Sequence, residues 1–121
     1  MKRLLLPLSV ALAAVVPAAA RAHAFLDHAT PPVGGSVQTA PDAVQLWFSE
    51  RLEPALSSVS VFDGAGKRVD RQPLQADESD RKHLTVPVAG PLAPGTYKVV
   101  WRAVSVDTHA TTGDFTFSVG R

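Results

Sequence analysis

The residues best suited to chemistry in this sequence are its four histidines and a carboxylate close to one of them. The histidines are His23, His28, His83 and His109, and Asp107 lies two positions before the last. Residues two apart in an extended segment point to the same side, so Asp107 and His109 can face one metal ion. The alternative is a turn in which the Asp107 carboxylate accepts backbone hydrogen bonds and His109 faces solvent. The Asp-x-His pattern alone leaves both interpretations open.

A second metal-binding group depends on how the start of the chain is processed. Two basic residues precede an apolar run over 4–16, and an A-x-A pattern ends at Ala22. This layout is typical of a secretory signal peptide, and the run is too short to span a membrane. We therefore expect residues 1–22 to be cleaved off, leaving a domain of residues 23–121 that begins with His23. The alternatives are an uncleaved anchor or a cleavage site shifted by a residue or two.

An N-terminal histidine offers two nitrogens from one residue. The α-amine and Nδ1 of His23 can close a chelate ring on one ion, and their unperturbed pKa values, about 7.7–8.0 and about 6.5, allow deprotonation near neutral pH. With the carboxylate of Asp107 and the imidazole of His109 they form a set of three nitrogens and one oxygen. Such a set suits Cu(II) in a tetragonal arrangement; zinc can also occupy it but stands below copper in the Irving–Williams order. These residues predict one Cu(II) ion per mature chain.

Sulfur and charge restrict the partners further. The sequence has no cysteine, and its single methionine is Met1, inside the predicted signal peptide. Because Cu(I) prefers thiolate or thioether ligands, the mature chain offers it no comparable site. Removal of Lys2, Arg3 and Arg21 changes the net charge from +1 to −2 with histidines neutral. No basic patch then remains to indicate nucleic-acid binding, and no membrane span is expected after cleavage.

The elements expected to position these residues are strands. Strand-prone runs, several with alternating polar and apolar residues, cover 44–49, 59–62, 84–88, 96–105 and 115–119. Pro87 indicates an edge strand or a strand end, and the charged stretch 69–82 indicates a polar connection. About seven short strands in about 100 residues predict an all-β, Greek-key β-sandwich.

One of these runs has the spacing of an immunoglobulin domain. Tyr97 lies two positions before Val99, as the tyrosine of such a domain lies two positions before its second cysteine. Since the chain has no cysteine, we expect packing among Val99, Trp101 and Trp47 to take the place of the disulfide.

From His23 to Val119 the sequence resembles the CopC family of periplasmic copper-resistance proteins. The matching motifs are His23, Thr30-Pro31-Pro32-x-Gly34, Phe48-Ser49-Glu50, Pro94-Gly95-Thr96-Tyr97-Lys98-Val99, Trp101-Arg102-Ala103-Val104-Ser105-x-Asp107-Thr108-His109 and Thr112-Gly113-x-Phe115-x-Phe117-x-Val119. The stretch that ends at His109 is highly specific, and the match covers nearly all of the mature chain. The resemblance implies an immunoglobulin-like or cupredoxin-like sandwich.

The resemblance also implies a function and a set of site residues. It implies a non-enzymatic periplasmic protein that binds Cu(II) through His23, Asp107 and His109 and carries or scavenges copper in copper resistance or copper uptake. Glu50 is implied as a neighbour of the site that orients the terminal amine, with a solvated strand-end charge as the alternative. A CopD-like inner-membrane copper-transport protein is implied as the partner.

The chain departs from the family in one respect. Some members carry a methionine-rich loop that binds Cu(I), whereas residues 23–121 contain no methionine. We therefore expect a Cu(II)-only protein rather than one that passes copper between two oxidation states. Asp27, His28 and His83 match no family role and are expected at the surface.

Two other classes of protein fit parts of the sequence. A copper oxygenase with a histidine brace would also use an N-terminal histidine and a second histidine. The Asp107 carboxylate argues against it, because it would fill the in-plane position that a catalytic metal needs open. A metal-independent periplasmic interaction module would keep its function after replacement of His23.

Overall fold

The computed structural model describes residues 24–120, which form eight strands and one short 3-10 helix. The strands are β1 (Leu26–Thr30), β2 (Ser36–Val37), β3 (Ala43–Phe48), β4 (Ser58–Phe62), β5 (Gln75–Asp77), β6 (Asp80–Pro87), β7 (Gly95–Val104) and β8 (Ala110–Val119). The 3-10 helix, Pro54–Leu56, lies between β3 and β4. The predicted signal peptide and His23 lie outside the described residues. Among residues 24–120, no helix has the length and apolar character that crossing a membrane requires.

The strands form two four-stranded sheets that pack as a sandwich. The first sheet has the order β1-β3-β6-β5 and the second the order β2-β8-β7-β4. Hairpins within one sheet join β5 to β6 and β7 to β8, and the other connections cross between the sheets. The predicted all-β sandwich is confirmed. The structure has eight strands, of which β1, β2 and β5 lie outside the five runs named from the sequence; β2 and β5, with two and three residues, are too short to show a period-two pattern.

The core lies between the sheets because each long strand buries alternate side chains. Val44, Leu46 and Phe48 of β3 are buried, and Phe48 meets Trp101 of β7 edge to face with ring centroids 5.2 Å apart. Such aromatic pairs stabilise a core beyond the area they bury. The expectation that Trp47 packs with Trp101 is wrong. Side chains alternate along β3, so Trp47 points to the outer face of the first sheet and Phe48 contacts Trp101 instead.

Tyr97 of β7 and Gly113 of β8 make close contacts that shape the second sheet. Tyr97 is buried, and its hydroxyl donates a hydrogen bond to the carbonyl of Ala93, as in the tyrosine corner of immunoglobulin-like domains. Gly113 of β8 lies opposite Trp101, and a Cβ at this glycine would stand 2.4 Å from Cζ2 of the indole. The absence of a side chain at Gly113 therefore lets the Trp101 ring lie across β8.

The region around β5 and β6 differs from the expectation. Pro87 does end β6, opposite Ala43, but β6 lies between β3 and β5 and is not an edge strand. The stretch 69–82 is more than a polar connection, because it contains β5 and the start of β6. In the turn between them, Asp77 accepts a hydrogen bond from the Ser79 amide (2.9 Å). An edge strand this exposed needs few apolar residues, so its sequence resembles that of a loop.

Candidate metal centre

Asp107 and His109 lie in the loop that joins β7 to β8. The Ser105 amide donates to the His109 carbonyl (2.9 Å) and the Thr108 amide donates to the Ser105 carbonyl (2.8 Å), so the chain reverses direction within a tight turn. Thr108 has a φ of 69°, in the left-handed region that is costly for a β-branched residue. Asp107 and His109 therefore lie in a turn. They do not lie in the extended segment in which residues two apart would point to the same side.

This turn places the two side chains next to each other. Asp107 Oδ1 lies 3.3 Å from His109 Nδ1, and the side chains are 45% and 52% exposed respectively. A carboxylate and an imidazole thus face the same patch of solvent. The sequence left open whether Asp107 and His109 form a turn or face one metal ion. The turn is present, and it brings together the carboxylate and the imidazole that binding one metal ion would require.

The Asp107 carboxylate is held in its charged form. A hydrogen bond from the Ser105 hydroxyl to Oδ1 is the main cause that lowers the pKa of Asp107 below its ordinary value. Burial acts in the opposite direction, and contacts with the His109 side chain and amide add to the lowering. A carboxylate that stays charged into the acid range can serve as an anionic ligand to a cation. Apart from its place in the motif that ends at His109, Ser105 has no feature in the sequence that indicates its role, because a serine at a strand end carries no signal of its burial.

The start of the described chain packs against the same hairpin. Ala24 is fully buried, and its carbonyl accepts a hydrogen bond from the hydroxyl of Thr111 in β8, two residues after His109. Phe25 is paired with Ser49: its amide donates to the Ser49 hydroxyl (2.9 Å), and the Ser49 amide donates to its carbonyl (2.8 Å). The N-terminal segment is thus attached to both sheets at this end of the sandwich.

Glu50 lies between two residues, Ser49 and Arg51, whose backbones make hydrogen bonds at the end of the sandwich that carries Asp107. The preceding Ser49 is bonded to the N-terminal segment, and the carbonyl of the following Arg51 accepts a hydrogen bond from the Val106 amide (3.0 Å). Glu50 itself is partly buried. Its backbone therefore lies between the N-terminal segment and the loop that carries Asp107.

His28 and His83 lie on the outer face of the first sheet, on either side of Trp47. Their ring centroids are 4.5 and 4.2 Å from that of the indole, with the planes within 8° and 5° of parallel. Nδ1 of His28 lies 2.8 Å from Asp27 Oδ2, and Nε2 of His83 lies 2.8 Å from Gln45 Oε1. His28 is a surface residue as expected, whereas the His83 side chain is only 14% exposed. The sequence feature that could have indicated this stack of three rings is Trp47, which stands at an outward position in the alternation along β3.

In the part of the chain covered by residues 24–120, no group of three or more His, Asp or Glu side chains is placed to hold a metal ion. Asp107 and His109 form a pair of donors.

Fold and loop together define a class: a β-sandwich with a carboxylate–imidazole pair in the hairpin beside its N-terminal segment. The family model of the CopC domain matches residues 26–120 of this chain. The chain therefore belongs to the CopC family.

Similar proteins agree with this assignment. Protein YobA of Escherichia coli (strain K12) is 43% identical over 98 residues, which cover 81% of this chain and 79% of that protein. Copper resistance protein C of Pseudomonas syringae pv. tomato is 39% identical over 110 residues, covering 87% of this chain and 86% of that protein. The crystal structure of PcoC, a methionine-rich copper resistance protein from Escherichia coli, matches with a TM-score of 0.73 and 35% identity over 81% of this chain and 99% of that chain.

Proposed function

We propose that this chain is a periplasmic Cu(II)-binding protein that carries or scavenges copper and binds one ion per mature chain. The proposed ligands are the α-amine and imidazole of His23, the carboxylate of Asp107 and the imidazole of His109. The observation that carries the proposal is the hydrogen bond from Thr111 to the Ala24 carbonyl, because it ties the segment that follows His23 to the strand that begins beside His109.

The anchoring of Ala24 restricts where a preceding residue can lie. Consecutive Cα atoms are about 3.8 Å apart, and Ala24 is both fully buried and hydrogen-bonded to β8. A residue joined to Ala24 therefore starts from the end of the sandwich that carries Asp107 and His109. This supports a site shared by the chain terminus and the β7–β8 loop.

Copper is the ion that the donors and the relatives favour. Copper resistance protein C and PcoC are named for copper resistance. Three nitrogens and one carboxylate oxygen suit Cu(II). PcoC is described as methionine-rich, whereas residues 23–121 of this chain contain neither methionine nor cysteine. The proposed cargo is therefore Cu(II), and Cu(I) has no sulfur ligand here.

Glu50 is the proposed neighbour of the terminal amine. A carboxylate that accepts a hydrogen bond from a ligand orients that ligand toward the ion. Support comes from the backbone of Glu50, which lies between the Phe25–Ser49 pairing and the Arg51–Val106 bond.

The proposed site is suited to holding copper rather than to catalysis. The Asp107 carboxylate would occupy the in-plane position that an oxygen-activating ion needs open. Removal of residues 1–22 in the periplasm would expose the His23 amine, so the site would form only in the mature domain of residues 23–121. A CopD-like inner-membrane copper-transport protein is the proposed partner.

Acetylation of the His23 amine tests the proposal. The acetyl group turns the amine into an amide, a poor ligand until it is deprotonated, and adds no new amine, while the imidazole and the sandwich remain. We expect the free energy of Cu(II) binding to weaken by several kcal/mol, where about 1.4 kcal/mol corresponds to a tenfold change in affinity. The affinities are measured by competition titration for chains with identical circular dichroism.

The control is a cleavable extension on the same protein. Before cleavage it should bind Cu(II) as weakly as the acetylated form, and after cleavage at His23 it should regain full affinity. Equal affinities for the native and acetylated chains would show that the terminal amine is not a ligand and would overturn the proposed site.

A further inference from the structure

We propose that Ser105 is the positioning residue of the metal centre, and that its buried hydroxyl holds the Asp107 carboxylate in the orientation that metal binding requires. This inference rests on the proposed function, because it assumes that Asp107 is a ligand. It assigns a role to a residue that does not itself touch the ion.

Ser105 is unusual in where its hydroxyl lies. It is 1% exposed, so this polar residue is as deeply buried as the apolar residues of the core. Its Oγ donates a hydrogen bond to Oδ1 of Asp107 and lies 3.2 Å from the carbonyl oxygen of His109. Both polar partners of this hydroxyl therefore belong to the two residues proposed as loop ligands.

The backbone of Ser105 makes it a firm base for these contacts. Ser105 forms a β-bridge with Leu52, a residue with no exposed surface in the segment that follows β3. Its amide donates to the His109 carbonyl (2.9 Å), and its carbonyl accepts from the Thr108 amide (2.8 Å). Ser105 thus joins the base of the loop to the packed interior on one side and to the loop itself on the other.

The Asp107 carboxylate needs such a support because nearly half of its side chain is exposed, at 45%. An exposed aspartate samples several rotamers, and fixing one of them costs conformational entropy when the ion binds. A buried hydroxyl that has few other partners selects the rotamer before binding. Both the Ser105 bond and the 3.3 Å contact with His109 Nδ1 use Oδ1, so this oxygen is the one that the loop holds in place.

Replacement of Ser105 by alanine in the mature chain tests this role. Loss of an outer partner of a metal ligand typically lowers affinity by about 10- to 100-fold, and we expect a loss in that range for Cu(II). The electron paramagnetic resonance spectrum of bound Cu(II) should change as well, because the oxygen donor is no longer fixed. Ser105→Thr, which keeps the hydroxyl, should restore most of the affinity.

Ser57→Ala is the matched control. The Ser57 hydroxyl is also partly buried; it donates to the Glu53 carbonyl (2.9 Å) and accepts from the Val104 amide (3.0 Å), away from both loop ligands. The Ser57→Ala variant should lose thermal stability without losing Cu(II) affinity. All variants are compared at a temperature at which circular dichroism shows the intact sandwich.

A double-mutant cycle with Asp107→Ala separates positioning from a general structural effect. If Ser105 acts through Asp107, Ser105→Ala should lower affinity little once Asp107 is already alanine. An equal loss in both backgrounds, or no loss in the native background, would overturn the inference while leaving Asp107 a ligand. If Asp107→Ala itself left the affinity unchanged, the ligand assignment of the proposed function would fail instead.

Discussion

The side chains of Asp107 and His109, in the β7–β8 loop, are more exposed than the side chain of His83. Asp107 and His109 are about half exposed, so removing either side chain uncovers less buried surface than removing a core side chain would. After Asp107→Ala the Ser105 hydroxyl still has the His109 carbonyl within 3.2 Å. His83, in contrast, is 14% exposed and stacks on Trp47.

Alanine replacements at these positions should separate binding from stability. We expect Asp107→Ala and His109→Ala each to weaken Cu(II) binding by at least about tenfold, or about 1.4 kcal/mol, with little change in thermal unfolding. His83→Ala should leave binding unchanged and cost about 0.5–1.5 kcal/mol of stability, the usual worth of an aromatic stack. Competition titration and thermal melts read out the two effects.

His83→Ala serves as the internal control for this set because it removes the same chemical group. Weakening of Cu(II) binding by His83→Ala to the same extent as by His109→Ala would contradict the assignment of the loop ligands.

Among the elements, the segment between β4 and β5 covers the open edge of the second sheet, and Asp70 is its anchor. The Asp70 side chain is 1% exposed and accepts hydrogen bonds from the Val61 amide (2.8 Å), Arg68 Nη2 (2.7 Å) and Gln72 Nε2 (2.7 Å). Burial raises the pKa of Asp70, but these bonds and the Arg68 charge outweigh burial and hold the pKa below its ordinary value.

This lowered pKa predicts a pH-dependent contribution to stability. Because the folded pKa lies below the unfolded one, the contribution is complete above the unfolded pKa of about 3.9 and is lost as pH falls through the folded pKa. Asp70→Asn should therefore destabilise the protein at neutral pH, by about 1–3 kcal/mol for a disrupted buried network. The difference from the native chain should shrink below about pH 4. Urea unfolding at a series of pH values measures it.

Asp114→Asn is the control for this experiment, since Asp114 is an exposed carboxylate on β8. It should change stability by less than about 0.5 kcal/mol, as is usual for surface substitutions. A difference between the native and Asp70→Asn chains that stayed constant down to pH 2 would show that the Asp70 charge does not contribute.

For the whole molecule, composition predicts the oxidation state of the copper that the proposed site would hold. Residues 23–121 provide nitrogen and oxygen donors but no thiolate or thioether. We expect one tight Cu(II) site per mature chain and Cu(I) binding weaker by several orders of magnitude. Parallel titrations against Cu(II) and Cu(I) chelators, the second under reducing conditions, measure the two affinities. Tighter binding of Cu(I) than of Cu(II) would contradict this prediction.

The sequence by itself determined the class of fold and the family. Alternation over 44–49 and the long runs at 96–105 and 115–119 predicted the sandwich, because a strand with one buried face must alternate. The motif from Trp101 to His109 predicted the CopC family. It also indicated Asp107 and His109 as a pair, since both belong to one short loop whose geometry is largely local.

Only the tertiary structure decided which distant residues meet. The Thr111 hydroxyl bonds to the Ala24 carbonyl across 87 positions, and Ser105 becomes buried because it bridges to Leu52. The alternation along β3 already turns Phe48 inward, but only the packing of the two sheets brings it to Trp101 of β7. Local patterns specify strands and turns, but contacts between strands far apart in sequence depend on how the two sheets pack, and no single segment encodes that packing.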